Sequence, residues 1–141
     1  MATSSPKSRR ILVDTSAFYA LADRGDTLHQ TAVAIANRLA EERARLFTTT
    51  FVLAETQALL LNRLGRARAT QTLREIRRSS VTVVRPTVRD EDRAWAIIEG
   101  FDDKDFSFTD AASFVVMARL GIDAAFAFDR DFTRYGLTVL Q

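Results

Sequence analysis

Ile11-Leu12-Val13-Asp14 near the start of the chain and Ala124-Ala125-Phe126-Ala127-Phe128-Asp129 near its end are the two stretches whose reading decides the fold. Each is a short apolar run that stops on an aspartate, the pattern of a buried strand whose carboxyl end meets solvent. Open α/β sheets gather their ligands at those carboxyl ends, so the two runs predict an acidic site there. The prediction requires the two strands to lie side by side, which periodicity does not establish.

Outward from these runs, strand and helix patterns alternate. Arg10 to Val13 reads as the first strand, followed by a short helix over Ala17 to Ala22 and a turn at Arg24-Gly25-Asp26. Leu28, Ala32, Ile35 and Leu39 recur at helical spacing within a helix from Thr27 to Arg43. Leu46 to Thr49 is a second strand. Thr50 is placed to cap a helix ending at Leu64 before Gly65, and Arg66 to Arg78 is a further helix. Val81 to Val84 is β-branched and precedes Pro86, a third strand. Thr87-Val88-Arg89-Asp90 has the form of a capping box opening a helix through Ile98 to Gly100. A helix from Thr109 to Leu120, a strand over Ala124 to Phe128, a helical turn from Arg130 to Tyr135 and a last strand at Leu137 to Leu140 complete the chain. The alternation predicts an α/β fold, a mostly parallel sheet covered by helices on both faces.

Composition agrees. The 141 residues, 47% hydrophobic and 27% charged, fit one domain over 10–141 after a polar, flexible tail at 1–9 without the apolar core of a signal peptide. No run approaches the length of a membrane span, so the expectation is a cytoplasmic protein with no membrane partner. The absence of cysteine excludes disulfides, thiolate nucleophiles and Cys-based zinc sites. Net charge is only +2, yet Lys7 and Lys104 are the sole lysines, so the base set is almost all arginine. Arginine suits phosphate and base recognition, and Arg63, Arg66, Arg68, Arg74, Arg77 and Arg78 read either as a nucleic-acid footprint or as solvated helix faces.

Each acid has a bland explanation on its own. Asp14 and Asp129 can cap the helices that follow them, and Ser107-Phe108-Thr109-Asp110 matches a capping box. Glu55 is harder to dismiss, because its helical neighbours Phe51, Val52, Ala58 and Leu59 form an apolar stripe where a lone carboxylate needs a partner, either an arginine or a metal. Other chemistries lack their parts. His29 is the only histidine and sits in an amphipathic helix, no G-x-S-x-G elbow is present, and no phosphate-binding glycine motif occurs. Trp95, with Val88, Ile98 and Phe101 near helical register, reads as core or interface packing rather than a base-stacking platform.

The motifs Ile11-Leu12-Val13-Asp14-Thr15-Ser16-Ala17, Thr48-Thr49-Thr50-Phe51-Val52-Leu53-Ala54-Glu55, Phe106-Ser107-Phe108-Thr109-Asp110-Ala111-Ala112-Ser113-Phe114 and Ala127-Phe128-Asp129-Arg130-Asp131-Phe132, taken in order and at this spacing, resemble those of PIN-domain ribonucleases, nearest to the VapC-type toxins of toxin-antitoxin pairs. The resemblance covers Ile11 to Leu140. It implies a three-layer PIN-like α/β/α fold in which Asp14, Glu55, Asp110 and Asp129 converge and hold Mg²⁺ or Mn²⁺. It also implies hydrolysis of RNA, a cognate antitoxin protein and a homodimer. By the same resemblance Asp14, Asp110 and Asp129 are the direct ligands, Glu55 binds a second ion or positions water, and Thr15, Ser16 and Thr109 support them. Asp131 stands where relatives often carry histidine, and Asp103 and Asp105 lie near in sequence. Whether any of the three joins the site is left open, as is the part of Arg24, Arg130 and Arg134 in binding RNA. An all-carboxylate set suits hard cations. The alternative is a non-catalytic module using the same fold to hold RNA or protein. The helix pair from Thr50 to Arg78, rich in Leu59, Leu60, Leu61 and Leu64, offers apolar surface for a dimer or an antitoxin.

Overall fold

Residues 8–141 are described by a computed structural model. Four strands form one parallel sheet in the order β3-β2-β1-β4. They are β1 (Arg10–Val13), β2 (Arg45–Thr49), β3 (Thr82–Val84) and β4 (Ala124–Phe126). The first and last apolar runs are therefore neighbours, with Ile11, Leu12 and Val13 opposite Ala124, Ala125 and Phe126. The expected last strand is reduced to a single bridge between Ala125 and Val139, held by the Ala125 amide on the Thr138 carbonyl and the Leu140 amide on the Ala125 carbonyl. The expected tail at 1–9 lies, apart from Ser8 and Arg9, outside the described residues. Arg9 is tied to Glu42 through two side-chain hydrogen bonds of 2.9 and 2.6 Å.

Alternation along the strands builds the two cores. Ile11 and Val13 pack with Ala124 and Phe126 against α1 (Thr15–Ala22) and α2 (His29–Glu41). Leu12, Phe47 and Ala125 point the other way, against α6 (Phe108–Leu120) and α7 (Arg130–Tyr135). A strand buried on both faces reads as a continuous apolar run, which is why neither run shows a polar alternation. Helix α6 has no polar face, and all eight residues from Asp110 to Met117 are buried. Its Phe114 stacks on Tyr135 at 4.4 Å between ring centroids and meets Phe132 edge-on at 5.1 Å, fixing α7 against α6.

The remaining helices are α3 (Thr50–Leu64), α4 (Arg66–Arg78) and α5 (Val88–Gly100). Thr49, not Thr50, caps α3, accepting from the Val52 amide at 3.1 Å. The predicted box at α5 forms in full: Thr87 Oγ1 accepts from the Asp90 amide, and the Asp90 carboxylate accepts from the Thr87 amide. Arg119 adds two donors to Asp90, at 2.8 and 2.6 Å, so a carboxylate that is almost fully buried is neutralised and saturated. This pairing holds the Asp90 carboxyl below the usual carboxylate range.

Candidate active site

The carboxyl ends of β1 and β4 are stitched together by a serine. The Asp14 amide donates to the Phe126 carbonyl at 3.0 Å, extending the ladder one residue past Val13. Asp14 then caps α1, its Oδ2 accepting from the Ser16 amide at 3.2 Å and from Ser16 Oγ at 2.8 Å. The same Ser16 Oγ accepts the Phe128 amide at 2.9 Å, so one hydroxyl ties the end of β1 to the segment that leaves β4. The other Asp14 oxygen, Oδ1, is buried and has no hydrogen-bond partner. Capping thus occupies half of the carboxylate and leaves a buried, unsatisfied acceptor.

Asp129 also caps, its Oδ1 accepting from the Asp131 amide at 2.9 Å at the start of α7. Asp110 behaves differently from the capping residue its motif suggests. Ser107 Oγ accepts the Asp110 amide at 3.0 Å, but among the described hydrogen bonds the Asp110 carboxylate makes none back to Ser107, in contrast to the reciprocal pair at Thr87 and Asp90. Its carboxylate turns instead toward Asp129 and Asp131, and one oxygen from each of the three lies within 4.8 Å of the others. Asp131, whose part was left open, therefore belongs to the cluster; Arg134 Nη1 approaches it at 3.5 Å.

The electrostatics are those of crowded acids. Burial pushes the Asp14 carboxyl up to about 6 against the pull of the Ser16 and Thr15 hydrogen bonds, and the Glu55 charge adds a smaller push. Asp110 is pushed up to about 8, first by burial, then by the charges of Asp14 and Asp129 and by its contact with Asp131. Asp110 therefore keeps its proton at neutral pH.

Glu55 departs from its predicted setting. The buried stripe of α3 runs through Val52, Thr56 and Leu60, and Glu55 lies beside it, exposed. Its apolar neighbours Phe51 and Leu59 are themselves only half-buried, so burial gives it no need of a partner; it still acts on Asp14 through its charge. Asp103 is exposed and paired with Lys104 at 3.1 Å, and Asp105 is exposed; neither is in the cluster. Thr15 Oγ1 approaches the Val52 carbonyl at 3.4 Å, linking α1 to α3. His29 Nδ1 meets the Ala20 carbonyl at 2.7 Å, a local structural contact. Trp95 is 56% exposed rather than core, edge-on to Phe108. The Ser16 bridge to Phe128 was not visible in the sequence, because its second partner is 112 positions away.

The residues fit a hard divalent cation. The donor set is all oxygen, an acceptor of Asp14 is buried without a partner, and Asp110 holds a proton at neutral pH that a cation would replace.

A parallel sheet in this order with acids beyond the ends of the neighbouring strands β1 and β4 is the architecture of a nuclease family, and residues 11–137 match the family model for the PIN domain: the chain belongs to that family. It is 40% identical over 133 residues to the 23S rRNA-specific endonuclease VapC20 of Mycobacterium tuberculosis, covering 93% of this chain and 98% of the relative. The crystal structure of that VapC20, described as a sarcin-ricin-loop-cleaving toxin, superimposes with a TM-score of 0.84 at 36% identity, covering 91% of this chain and 96% of the other. VapBC2 from Rickettsia felis bound to a promoter DNA fragment (TM-score 0.71, 11% identity, 93% and 97% covered) and FitAcB from Neisseria gonorrhoeae (0.64, 13%, 93% and 96%) share the fold.

Proposed function

We propose that this protein is a divalent-metal-dependent endoribonuclease, the VapC-type toxin of a toxin-antitoxin pair, with Asp14, Glu55, Asp110 and Asp129 as its catalytic and metal-holding residues. The observation that carries the reading is the partnerless buried oxygen of Asp14 beside the Asp110, Asp129 and Asp131 carboxylates. The similarity to VapC20 over nearly the whole length of both chains supports RNA as substrate, and a loop of large-subunit rRNA is the first RNA to test.

Bound Mg²⁺ or Mn²⁺ would lower the pKa of a water and offset charge on the scissile phosphate. Asp14, Asp110 and Asp129 would hold the ion through carboxylate oxygens, with Asp110 giving up the proton it keeps at neutral pH. Ser16 orients the Asp14 carboxylate through its 2.8 Å hydrogen bond, and Asp131 orients Asp129 by its backbone amide. Glu55, exposed and close enough for its charge to act on Asp14, would hold a second ion or position the attacking water. In-line attack by that water would form a new P–O bond as the scissile P–O bond breaks, its proton passing to solvent and the departing oxygen taking one from solvent.

A cognate antitoxin and a homodimer accompany this reading, as does work in the cytoplasm, where RNA substrates lie. A cleft of about 420 Å³ between α1, α2 and α4, floored by Val13, Phe18, Leu39 and Phe126 and rimmed by Arg24 and Arg68, supports docking of an antitoxin segment. The partly exposed Phe51, Phe108 and Trp95, in edge and tilted contact, support self-association. Among the described residues no helix is long and apolar enough to cross a membrane.

Incubating the protein with rRNA in Mg²⁺ or Mn²⁺, in EDTA, and beside Asp14→Asn and Asp110→Asn tests the proposal. Cleavage is expected only for the wild type with metal. Cleavage that survives both substitutions overturns the site, and intact RNA throughout favours a binding module.

A further inference from the structure

A nuclease whose reactive end carries Asp14, Glu55, Asp110, Asp129 and Asp131 repels the polyanion it is meant to cut. The attraction has to come from another surface. Helix α5 cannot supply it, since Asp90, Glu91, Asp92 and Glu99 outnumber Arg89 and Arg93. Helix α4 can: it carries Arg66, Arg68, Arg74, Arg77 and Arg78 against one acid, Glu75.

The placement of these charges is not that of a uniformly solvated helix. Ala69, Thr72 and Ile76 bury the core-facing side of α4. At 100° per residue, Arg66, Thr70, Arg74, Arg77 and Arg78 fall within one sector of about 120° that excludes the buried side, in a stripe about 18 Å long. Arg66, Arg74, Arg77 and Arg78 are exposed. Among the described residues none of the four makes a salt bridge or a side-chain hydrogen bond. Glu75, which could have neutralised a neighbour, sits off the stripe and accepts from Gln71 at 3.1 Å. Two shallow depressions flank the stripe, one bringing Gln57 of α3 beside Arg74, Arg77 and Arg78. Unpaired guanidiniums at this density repel one another, a cost that a row of phosphates removes.

We infer that the outer face of α4 is an RNA-docking surface that grips the phosphate backbone away from the acidic cluster and presents the strand to it. The inference rests on the nuclease reading for its substrate class. Helix α4 contains no aromatic residue, so it offers bases no ring to stack on; its contacts go to phosphate and carry no sequence preference. It holds any RNA of suitable shape, and the choice of cleavage position belongs to the region around the acids.

The test uses the full chain carrying Asp110→Asn, in EDTA, with a fluorescently labelled RNA stem-loop titrated at several salt concentrations. Combining Arg74→Gln, Arg77→Gln and Arg78→Gln keeps good helix formers at exposed positions. It is expected to flatten the slope of log K against log salt by about 2, at roughly 0.7 to 0.9 per guanidinium removed. The corresponding lysine triple variant is expected to restore most of the slope, and Arg89→Gln with Arg93→Gln on α5 to leave it unchanged. With Asp110 intact, the glutamine triple variant is expected to cut at the same position as the wild type, more slowly at subsaturating RNA. Unaltered affinity and slope in the triple variant, alongside wild-type cleavage in Mg²⁺, overturns the docking surface and leaves the nuclease reading standing. Binding that depends on α4 while the wild type cuts no RNA in either metal supports the docking surface and overturns the nuclease reading. Loss of binding to polyglutamate with RNA binding unaffected assigns α4 to an acidic polypeptide and overturns the inference.

Discussion

The backbone amide of Asp14 donates to the carbonyl of Phe126 at 3.0 Å, one step beyond the last paired residues of β1 and β4. That bond carries the sheet register into the site. It fixes the first acid relative to the segment that leads to Asp129, and Ser16 then clamps the same junction from the side-chain direction.

Removing either buried acid should abolish turnover without unfolding the chain. Asp14→Asn or Asp110→Asn is expected to lower RNA cleavage in Mg²⁺ by about 10³-fold or more, the several kcal/mol that metal-assisted charge stabilisation supplies. Thermal melts in EDTA should show the Asp110→Asn protein at least as stable as wild type at pH 8, since the substitution removes a charge the site resists. A large fall in melting temperature would mean that Asp110 serves the fold.

Stability of the metal-free protein should fall as pH rises through neutrality. Asp110 and Asp14 have folded-state pKa values raised to about 8 and about 6, above the unfolded value near 3.9, so the folded state binds more protons across this window. Their contribution is fully present below about pH 4 and is lost as pH climbs through 6 and then 8. Melting temperature in EDTA should therefore be higher at pH 5 than at pH 8, and saturating Mn²⁺ should reverse the trend. A pH-independent melt in EDTA would contradict the crowding of the acids.

Metal binding should expel protons. At pH 7 the Asp110 carboxyl still holds most of its proton, so cation binding is expected to release close to one proton, seen as a dependence of calorimetric heat on buffer ionisation enthalpy. Asp110→Asn should remove that dependence.

The clamp and the rim should separate in their effects. Ser16→Ala deletes both the Asp14 hydrogen bond and the acceptor for the Phe128 amide, and is expected to weaken metal affinity by about 10- to 100-fold. Glu55→Gln, at an exposed position, should reduce cleavage by about 10-fold and leave the melting temperature within error.

Arg119→Ala tests an acid outside the site. It strips two charge-assisted hydrogen bonds from a buried Asp90 and is expected to cost about 2 kcal/mol in denaturant unfolding, with cleavage of RNA by the folded protein unchanged.

Much of this protein is legible in its sequence because its signals are local. Apolar runs that end on aspartate mark strands buried on both faces. Gly65, Gly121 and Gly136 stop helices with positive φ, and the Thr87 to Asp90 box forms between residues three apart. The resemblance of four ordered motifs extended that reading to Asp14, Glu55, Asp110 and Asp129. What the sequence could not decide depends on contacts between distant segments. Helical spacing set Glu55 among apolar neighbours, but which side of α3 faces the core depends on where α1, α4 and α6 pack against it, and the buried positions are Val52, Thr56 and Leu60 instead. The same holds for Asp110, whose capping motif is half-formed because its carboxylate is drawn to Asp129 and Asp131 by the packing of α7 on Phe114. The Ser16 clamp needs β1 beside β4. Periodicity and capping chemistry are determined along the chain, within a helical turn or a strand. The order of the sheet, and with it the meeting of four aspartates at one end, is set by the burial that the folded chain achieves.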